Sequence, residues 1–258
     1  MIADLQRREY EIATAYDVGL DVPRIRYNSA EIDGEFIRDG KLLIEKINGI
    51  DAGFTAFWNG EEFSFWTVII NDNKLLNGSQ GPNIGSNCIT VFPGKIKKIQ
   101  TIFERLIGRF SAENYRGFIT LDVIIKDGKF YYDRIRFNIL PDVLYAVIEL
   151  SGVDEEELII GMESGRHFEK PKGFACSLKL WDYPYSITGN KNAVIKYSET
   201  HELIEIYDSF IATSRGDTIK KTWKNLYKNI ADIDICYRTD GDYKARWTFN
   251  QLKRQRIL

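Results

Sequence analysis

An α+β protein built on antiparallel sheets is predicted from this sequence by two hairpin signals and by how its helices are distributed. Asn59-Gly60 lies inside AGFTAFWNGEEFSFWTVII, and Asp127-Gly128 lies inside GFITLDVIIKDGKFYYDRIRFN. Each is a tight-turn dipeptide between runs rich in β-branched and aromatic residues. Such strand pairs outnumber strand–helix–strand units, which favours antiparallel sheets with the helices set apart.

The elements follow in order. Residues 4–18, DLQRREYEIATAYDV, place Leu5, Tyr10, Ile12, Ala13 and Tyr16 at helical spacing, with a stop near Gly19. Pro23 bars a helix interior, so LDVPRIRYN is extended. KLLIEKING reads as a strand closed by Asn48-Gly49. After the first hairpin comes NGSQGPNIGSNC, residues 77–88, which is expected to be a long loop between strands. Ile96, Ile99, Ile102, Phe103, Leu106 and Ile107 then define an amphipathic helix. Beyond the second hairpin, PDVLYAVIELSG has Pro141 suited to a first turn and Gly152 to a helix end. VDEEELIIGM is a further helix with its acids at the favoured end. A second block, from about 171, contains the strands GFACSLKLWDYPY, AVIKYS and IEIYDSFIATSRG. A helix capped by Asp217 or Thr218 follows, then the extended ICYRTD and the closing GDYKARWTFNQLKRQ.

Composition narrows the classes. The 258 residues are 44% hydrophobic and 28% charged with a net charge of -2, enough for a sizeable core and nothing that demands nucleic acid. The basic run Lys244, Arg246, Lys253, Arg254 and Arg256 is expected to be a solvated face. Cys88, Cys176 and Cys236 fit neither a disulfide framework nor a zinc pattern, and each is expected to be a small buried hydrophobe. His167 and His201 have no triad or metal pattern around them. No apolar run is long enough for a membrane span, and the start is not a signal peptide, so a cytoplasmic protein is expected. Frequent Ile, Lys, Asn and Tyr with scarce Ala fit an AT-rich genome such as a viral one.

Several strings coincide, in order, with one family. KLLNGSQGPNIGSN resembles the Asp-Gly-Asp-x-Gly-Pro-Asn-Thr-Gly-Gly-Met-Gly stretch of glycinamide ribonucleotide synthetase, the phosphoribosylamine–glycine ligase of purine synthesis and an ATP-grasp enzyme. YRGFITLDVIIKDGKFYYDRIRFN resembles its later strand pair, which ends Glu-x-Asn-x-Arg-Phe-Gly-Asp-Pro-Glu. ACSLKLWDYPY, SRGDTIKKTWKNLYKNI and YRTDGDYKARW resemble its Gly-Tyr-Pro-Gly strand, its Gly-Asp-Thr-Leu helix and its closing Tyr-Arg-x-Asp-Ile-Gly-x-Arg. The resemblance implies three parts: a remnant of the small ATP-grasp lobe at 1–40, an antiparallel large-lobe-like sheet with flanking helices at 41–165, and a small C-terminal α/β domain at 166–258.

It also implies a site. The family's glycine-rich loop helps enclose a sugar phosphate, which makes Gln80, Gly81, Pro82, Asn83, Gly85 and Ser86 candidate ligand-binding residues. Glycines there let backbone N–H groups face a phosphate, although a plain solvent loop explains the composition too. Arg134 and Arg136 share a strand face and form a fork for phosphate or carboxylate. Asn138 and Asp142 continue toward the family's Gly-Asp-Pro-Glu corner. Glu45 and Asp51 fall where the family touches adenine and ribose, and a structural role is expected for both. Trp58, Trp66, Phe54, Phe57, Phe63 and Phe65 are expected to pack the sheet, with base stacking as the alternative.

Departures from the family qualify its chemistry. Residues 4–28 already look like the opening of the small lobe. The chain then passes almost directly to LLIEKINGIDAGFTAF, without a counterpart of the two lysine-bearing strands that grip ATP phosphates. ATP and Mg²⁺ are implied as cofactors, but the magnesium ligands are altered. If Ile135-Arg136-Phe137 matches the family's x-Arg-Phe, Tyr132 takes the glutamate position and Arg134 the asparagine position. A shift by one puts Asp133 on the glutamate and misplaces Arg136. No catalytic or metal-ligating residue is assigned. The expected function is binding of a small phosphorylated ligand without the family's ligation. The alternatives are an active carbon–nitrogen ligase, with a second chain supplying the missing lobe, and a protein-interaction module.

Overall fold

The computed structural model describes residues 2–27, 36–39, 42–110, 115–164, 171–181, 204–206, 209–232 and 237–258. Helix α1 (Ile2–Asp17) leads into β1 (Ile25–Tyr27), β2 (Phe36–Asp39) and β3 (Leu42–Glu45), a three-stranded antiparallel sheet ordered β1-β3-β2. The main sheet collects β4 (Ile50–Trp58), β5 (Phe63–Leu76), β6 (Gln80–Pro93), β7 (Gly117–Lys126), β8 (Lys129–Arg136), β9 (Phe174–Trp181), β10 (Ile204–Ile206) and β11 (Ser209–Gly216). Its eight strands run in the order β10-β11-β9-β6-β5-β4-β7-β8, with each described pair antiparallel. Because β9 pairs with β6, the sheet is continuous across the boundary expected near 166.

Period-2 alternation sorts the sheet into two apolar faces. The first carries Ala52, Phe54, Val68, Ile70, Leu121, Val123 and Leu178, and is covered by α1, α2 (Lys97–Phe110), α5 (Ile219–Asn229) and α6 (Gly241–Arg254). The second carries Phe57, Ile69, Ile89, Val91 and Ala175 beneath α3 (Pro141–Ser151) and α4 (Glu155–Glu163). The caps sit where the sequence placed them: Pro141 starts α3, Gly152 ends it at φ 74, and Thr218 accepts from the Lys221 amide at the head of α5. Trp58, Phe63 and Trp66 pack around Phe103 of α2, so these aromatics are sheet packing. Cys88 and Cys176 are buried free thiols, the first pushed up to about 12 by burial. Among the described residues, no helix is long and apolar enough to cross a membrane.

GDYKARW, given no element from the sequence, opens helix α6. Three expectations change. IEIYDSFIATSRG is split into β10 and β11 rather than forming one strand. Lys244 is not part of a solvated face, since its ammonium lies 3.9 Å from the buried Asp72 carboxylate. The glycine-rich stretch is not a long loop: β5 runs to Leu76, a short 3₁₀ turn covers Asn77–Ser79, and β6 begins at Gln80. The extra residues are absorbed within the pairing, where 72–74 of β5 face 83–88 of β6. Glycine allows the tight tip: Gly78 and Gly81 have φ of 70° and 79°, a region costly for most other residues. AVIKYS, Cys236, His167 and His201 lie outside the described residues.

The hairpin tip is tied to the segment before α6. Arg238, whose side chain is only 3% exposed, donates to both carboxylate oxygens of Asp240 and to the Lys74 carbonyl, and lies 3.0 Å from Asp72. Ser79 donates its hydroxyl to Asp72, and the Gly78 amide donates to Asp240. Asn77 and Thr239 exchange two hydrogen bonds of 3.0 and 3.1 Å. Gly241 then lets α6 approach Trp223, where a Cβ would meet the indole at 2.4 Å.

Breaking a buried ion pair from one side strands the other charge. Arg238→Ala is expected to cost about 3 kcal/mol or more of stability, and Arg238→Lys to recover only part, since an ammonium cannot make the fork. Urea denaturation checks this; an unchanged midpoint in Arg238→Ala refutes it.

Asp72 supplies a pH test. Burial pushes its carboxyl up, but hydrogen bonds from Ser79 and Arg238, with the charge of Lys244, outweigh that and hold it below its ordinary value. A depressed carboxyl stabilises the fold above its unfolded pKa of about 3.9 and loses that contribution as pH falls through the folded value. Below about pH 4, wild-type stability should therefore fall more steeply than that of Asp72→Asn; equal slopes in acid titrations of the denaturation midpoint would exclude this.

Candidate functional site

Among the described residues, the second sheet face is only partly roofed. Helix α3 covers β6, β9 and β11, and leaves β4, β7 and β8 with a polar patch. Its strongest charges come from the β7–β8 hairpin. Asp122 of β7 faces Arg134 of β8 in register, while the next residue, Val123, faces Tyr132. Asp133 is therefore the extra residue of a bulge, and Arg134 and Arg136 stay on one face, as alternation predicts. Gly53 of β4 leaves the room for Asp122: a Cβ there would lie 3.1 Å from its carboxylate.

Arg136 and Asp122 form an ion pair at 2.6 Å, with side chains 19% and 26% exposed. Burial lifts the Asp122 carboxyl above its usual range, while Arg136 opposes the shift and Asp133 adds to it. The Arg136 Nε–H is buried without a hydrogen-bond partner among the described residues. An unpaired buried donor of this kind costs free energy. Arg134 is exposed beside it. Behind the pair, the Thr55 and Thr120 hydroxyls lie 3.2 Å apart, and Thr120 donates to the Asn138 carbonyl, fixing the turn that leaves β8.

The other candidates separate from this pair. Asp142 is buried in the first turn of α3, with its carboxylate 3.9 Å from the Lys179 ammonium. The Asn138 side chain is exposed. Asp51 lies on the Asp122 face of β4 with its residue surface largely exposed but its carboxyl group hemmed in by neighbours, and the desolvation raises it, with Lys244 opposing and Asp133 and Asp72 adding. Glu45 belongs to the small sheet, where the Arg24 amide and guanidinium both donate to it and hold its carboxyl low. Gln80 and Gly81 are exposed at the start of β6, and Pro82, Asn83, Gly85 and Ser86 follow on the same strand. Strands β5, β4 and β7 lie between β6 and β8. At the usual strand spacing that separation is about 19 Å, so one phosphate cannot touch both groups, whereas an extended ligand can span them.

Reading the sequence missed Asp122 and the cluster of Asp72, Arg238 and Asp240. Asp122 had a signal: it alternates with the apolar Ile119, Leu121, Val123 and Ile125, and the Asp127-Gly128 turn places it opposite the arginines. Arg238 and Asp240 lie inside YRTDGDYKARW, yet nothing local says that they meet residues 72–79.

The patch does not fit Mg²⁺. This hard cation needs several oxygen ligands around it. Here Asp122 is already paired with Arg136, and Arg134 adds a second guanidinium that repels a cation. Among the described residues, no group of three or more His, Cys, Asp or Glu side chains is placed to hold a metal ion.

No family model matches the sequence. The phosphoribosylamine–glycine ligase of Thermotoga maritima is 25% identical over 167 residues, which is 60% of this chain and 42% of that protein. The chain thus spans less than half the length of that curated relative. The crystal structure of a Thermotoga maritima phosphoribosylamine–glycine ligase superposes with a TM-score of 0.67 at 17% identity, covering 90% of this chain and 78% of the other. Phosphoribosylglycinamide synthetase from Anaerococcus prevotii gives 0.57 at 12% identity over 89% and 73%. Rhizobium etli pyruvate carboxylase gives 0.58 at 11% identity over 95% and 28%. The chain has the ATP-grasp fold, and in sequence and in shape it is similar to phosphoribosylamine–glycine ligase.

Proposed function

We propose that this is a divergent ATP-grasp protein, related to glycinamide ribonucleotide synthetase, that binds a phosphorylated ribose or nucleotide-like ligand and has lost metal-dependent ligation. The observation that carries the reading is the Arg136–Asp122 pair at 2.6 Å with Arg134 in register beside it. Guanidinium groups supply the positive charge on this patch, so the phosphate is held directly, through charge-assisted hydrogen bonds. Asp122 orients Arg136, whose side chain is only partly covered. The glycine-rich strand at Gln80–Ser86 would hold the far end of a ligand long enough to cross the sheet.

Calorimetry with ribose 5-phosphate, AMP and ATP tests this, each with Mg²⁺ and with a chelator. Binding of at least one is expected, unchanged by the chelator. A charge-assisted hydrogen bond is worth about 1.5–3 kcal/mol, so Arg136→Ala should weaken binding by roughly 10- to 150-fold, with Arg136→Lys intermediate. No phosphorylated ligand bound, or affinity that vanishes with the chelator, refutes the reading.

The sequence likeness to a ligase favours a second reading, an active carbon–nitrogen ligase joining glycine or another amino acid to an amine, with a second chain completing the nucleotide grip. It predicts ADP release from ATP and Mg²⁺ that depends on both glycine and an amine acceptor. Steady release under those conditions would overturn the first proposal. None, with ligand binding intact, would exclude ligation by the chain alone.

A further inference from the structure

An open cavity lies away from the arginine patch, on the first sheet face, where α6 ends. Its volume is ≈ 580 Å³, within the size range of small-molecule sites. Its floor is an aromatic cluster. Phe92 of β6, Phe174 of β9 and Phe249 of α6 meet with ring centroids 5.4, 5.2 and 5.3 Å apart, two of the three pairs edge to face. Phe174 and Phe249 are half-buried, so parts of their rings remain open to the cavity.

The rim is cationic. Lys95, Lys172 and Lys253 line it and are exposed, and the Lys253 ammonium sits 4.6 Å over the Phe249 ring. Among the described lining residues Asp217 is the acidic side chain, and it holds the Lys221 ammonium at 2.7 Å. An apolar floor under unbalanced positive charge fits neither a cation nor a neutral hydrocarbon as well as it fits an amphipathic anion. Lys253 supports this: its ammonium sits over the aromatic floor and, on an exposed side chain, can turn to a carboxylate or phosphate at the mouth.

We propose that this cavity binds a small amphipathic anion, an acyl or aryl group bearing one carboxylate or phosphate head. The apolar part rests on Phe92, Phe174 and Phe249, and the head is held among Lys95, Lys172 and Lys253. The site is independent of the arginine patch, so either can fail without the other.

The probes are octanoate, octyl phosphate, 1-octanol and octylamine, titrated by calorimetry into the full chain. Octanoate or octyl phosphate should bind, and whichever is tighter identifies the head group. The alcohol and the amine should bind at least about tenfold more weakly, one well-made charged contact being worth that much. The double variant Lys172→Glu/Lys253→Glu changes only exposed side chains and should weaken the anion at least about tenfold, with an unchanged melting temperature as the folding control. Arg136→Ala should leave octanoate binding unaltered. The proposal is overturned if neither anion binds at millimolar concentration, if octanol binds as tightly as octanoate, or if the charge-reversed protein keeps full affinity.

Discussion

The interaction on which the architecture depends is the burial of Arg238 between Asp72 and Asp240. A guanidinium taken out of water needs nearly all its donors used. Arg238 uses them on two carboxylates and a carbonyl drawn from two parts of the fold: Asp72 and Lys74 from β5, and Asp240 from the approach to α6. The contact holds the β5–β6 hairpin at one position over the end of the sheet. It also sets where α6 starts, because Gly241 follows directly and sits against Trp223. From there α6 crosses the first face and ends beside Phe92 and Phe174, so the aromatic cavity inherits its geometry from the same ion pair.

This changes what the glycine-rich stretch does. Its Asn77, Gly78 and Ser79 are occupied by Thr239, Asp240 and Asp72, so the tip of the motif closes on the protein itself. The motif's resemblance to a substrate loop and its structural use are compatible, because anchoring the tip positions the bulged strand behind it.

Elements with a local cause were legible in the sequence. The Asn59-Gly60 and Asp127-Gly128 hairpins, the Pro141 start and Gly152 end of α3, and the Thr218 cap each follow from a few neighbouring residues. The shared face of Arg134 and Arg136 followed from period-2 alternation, and the bulge at Asp133 did not disturb it because it lies before both arginines. What stayed hidden depends on partners far away in the chain. Glycine, asparagine and proline in 77–88 signal a turn wherever they occur, and only pairing with the long β5 reveals a bulged strand. Lys244 looked like one member of a basic tail until its position beside Asp72 was known. Burial of Arg238 was unreadable, since arginine is ordinarily a surface residue.

The likeness to phosphoribosylamine–glycine ligase and the chemistry of the patch bear on different levels. The sheet order, the helices on its faces and the closing segment define a fold, and a fold hosts more than one chemistry. A ligase that activates a carboxylate with ATP must neutralise phosphate charge as it moves during the reaction, which a metal ion bridging the oxygens does well. A guanidinium held by Asp122 is fixed in place and donates along set directions, which suits recognition of a phosphate that stays intact. A metal ion is a mobile, multivalent charge, whereas Arg136 is a single charge tethered by Asp122, so the two do different physical work on a phosphate. Binding and catalysis are separable properties, which is why the patch and the fold are tested by different experiments.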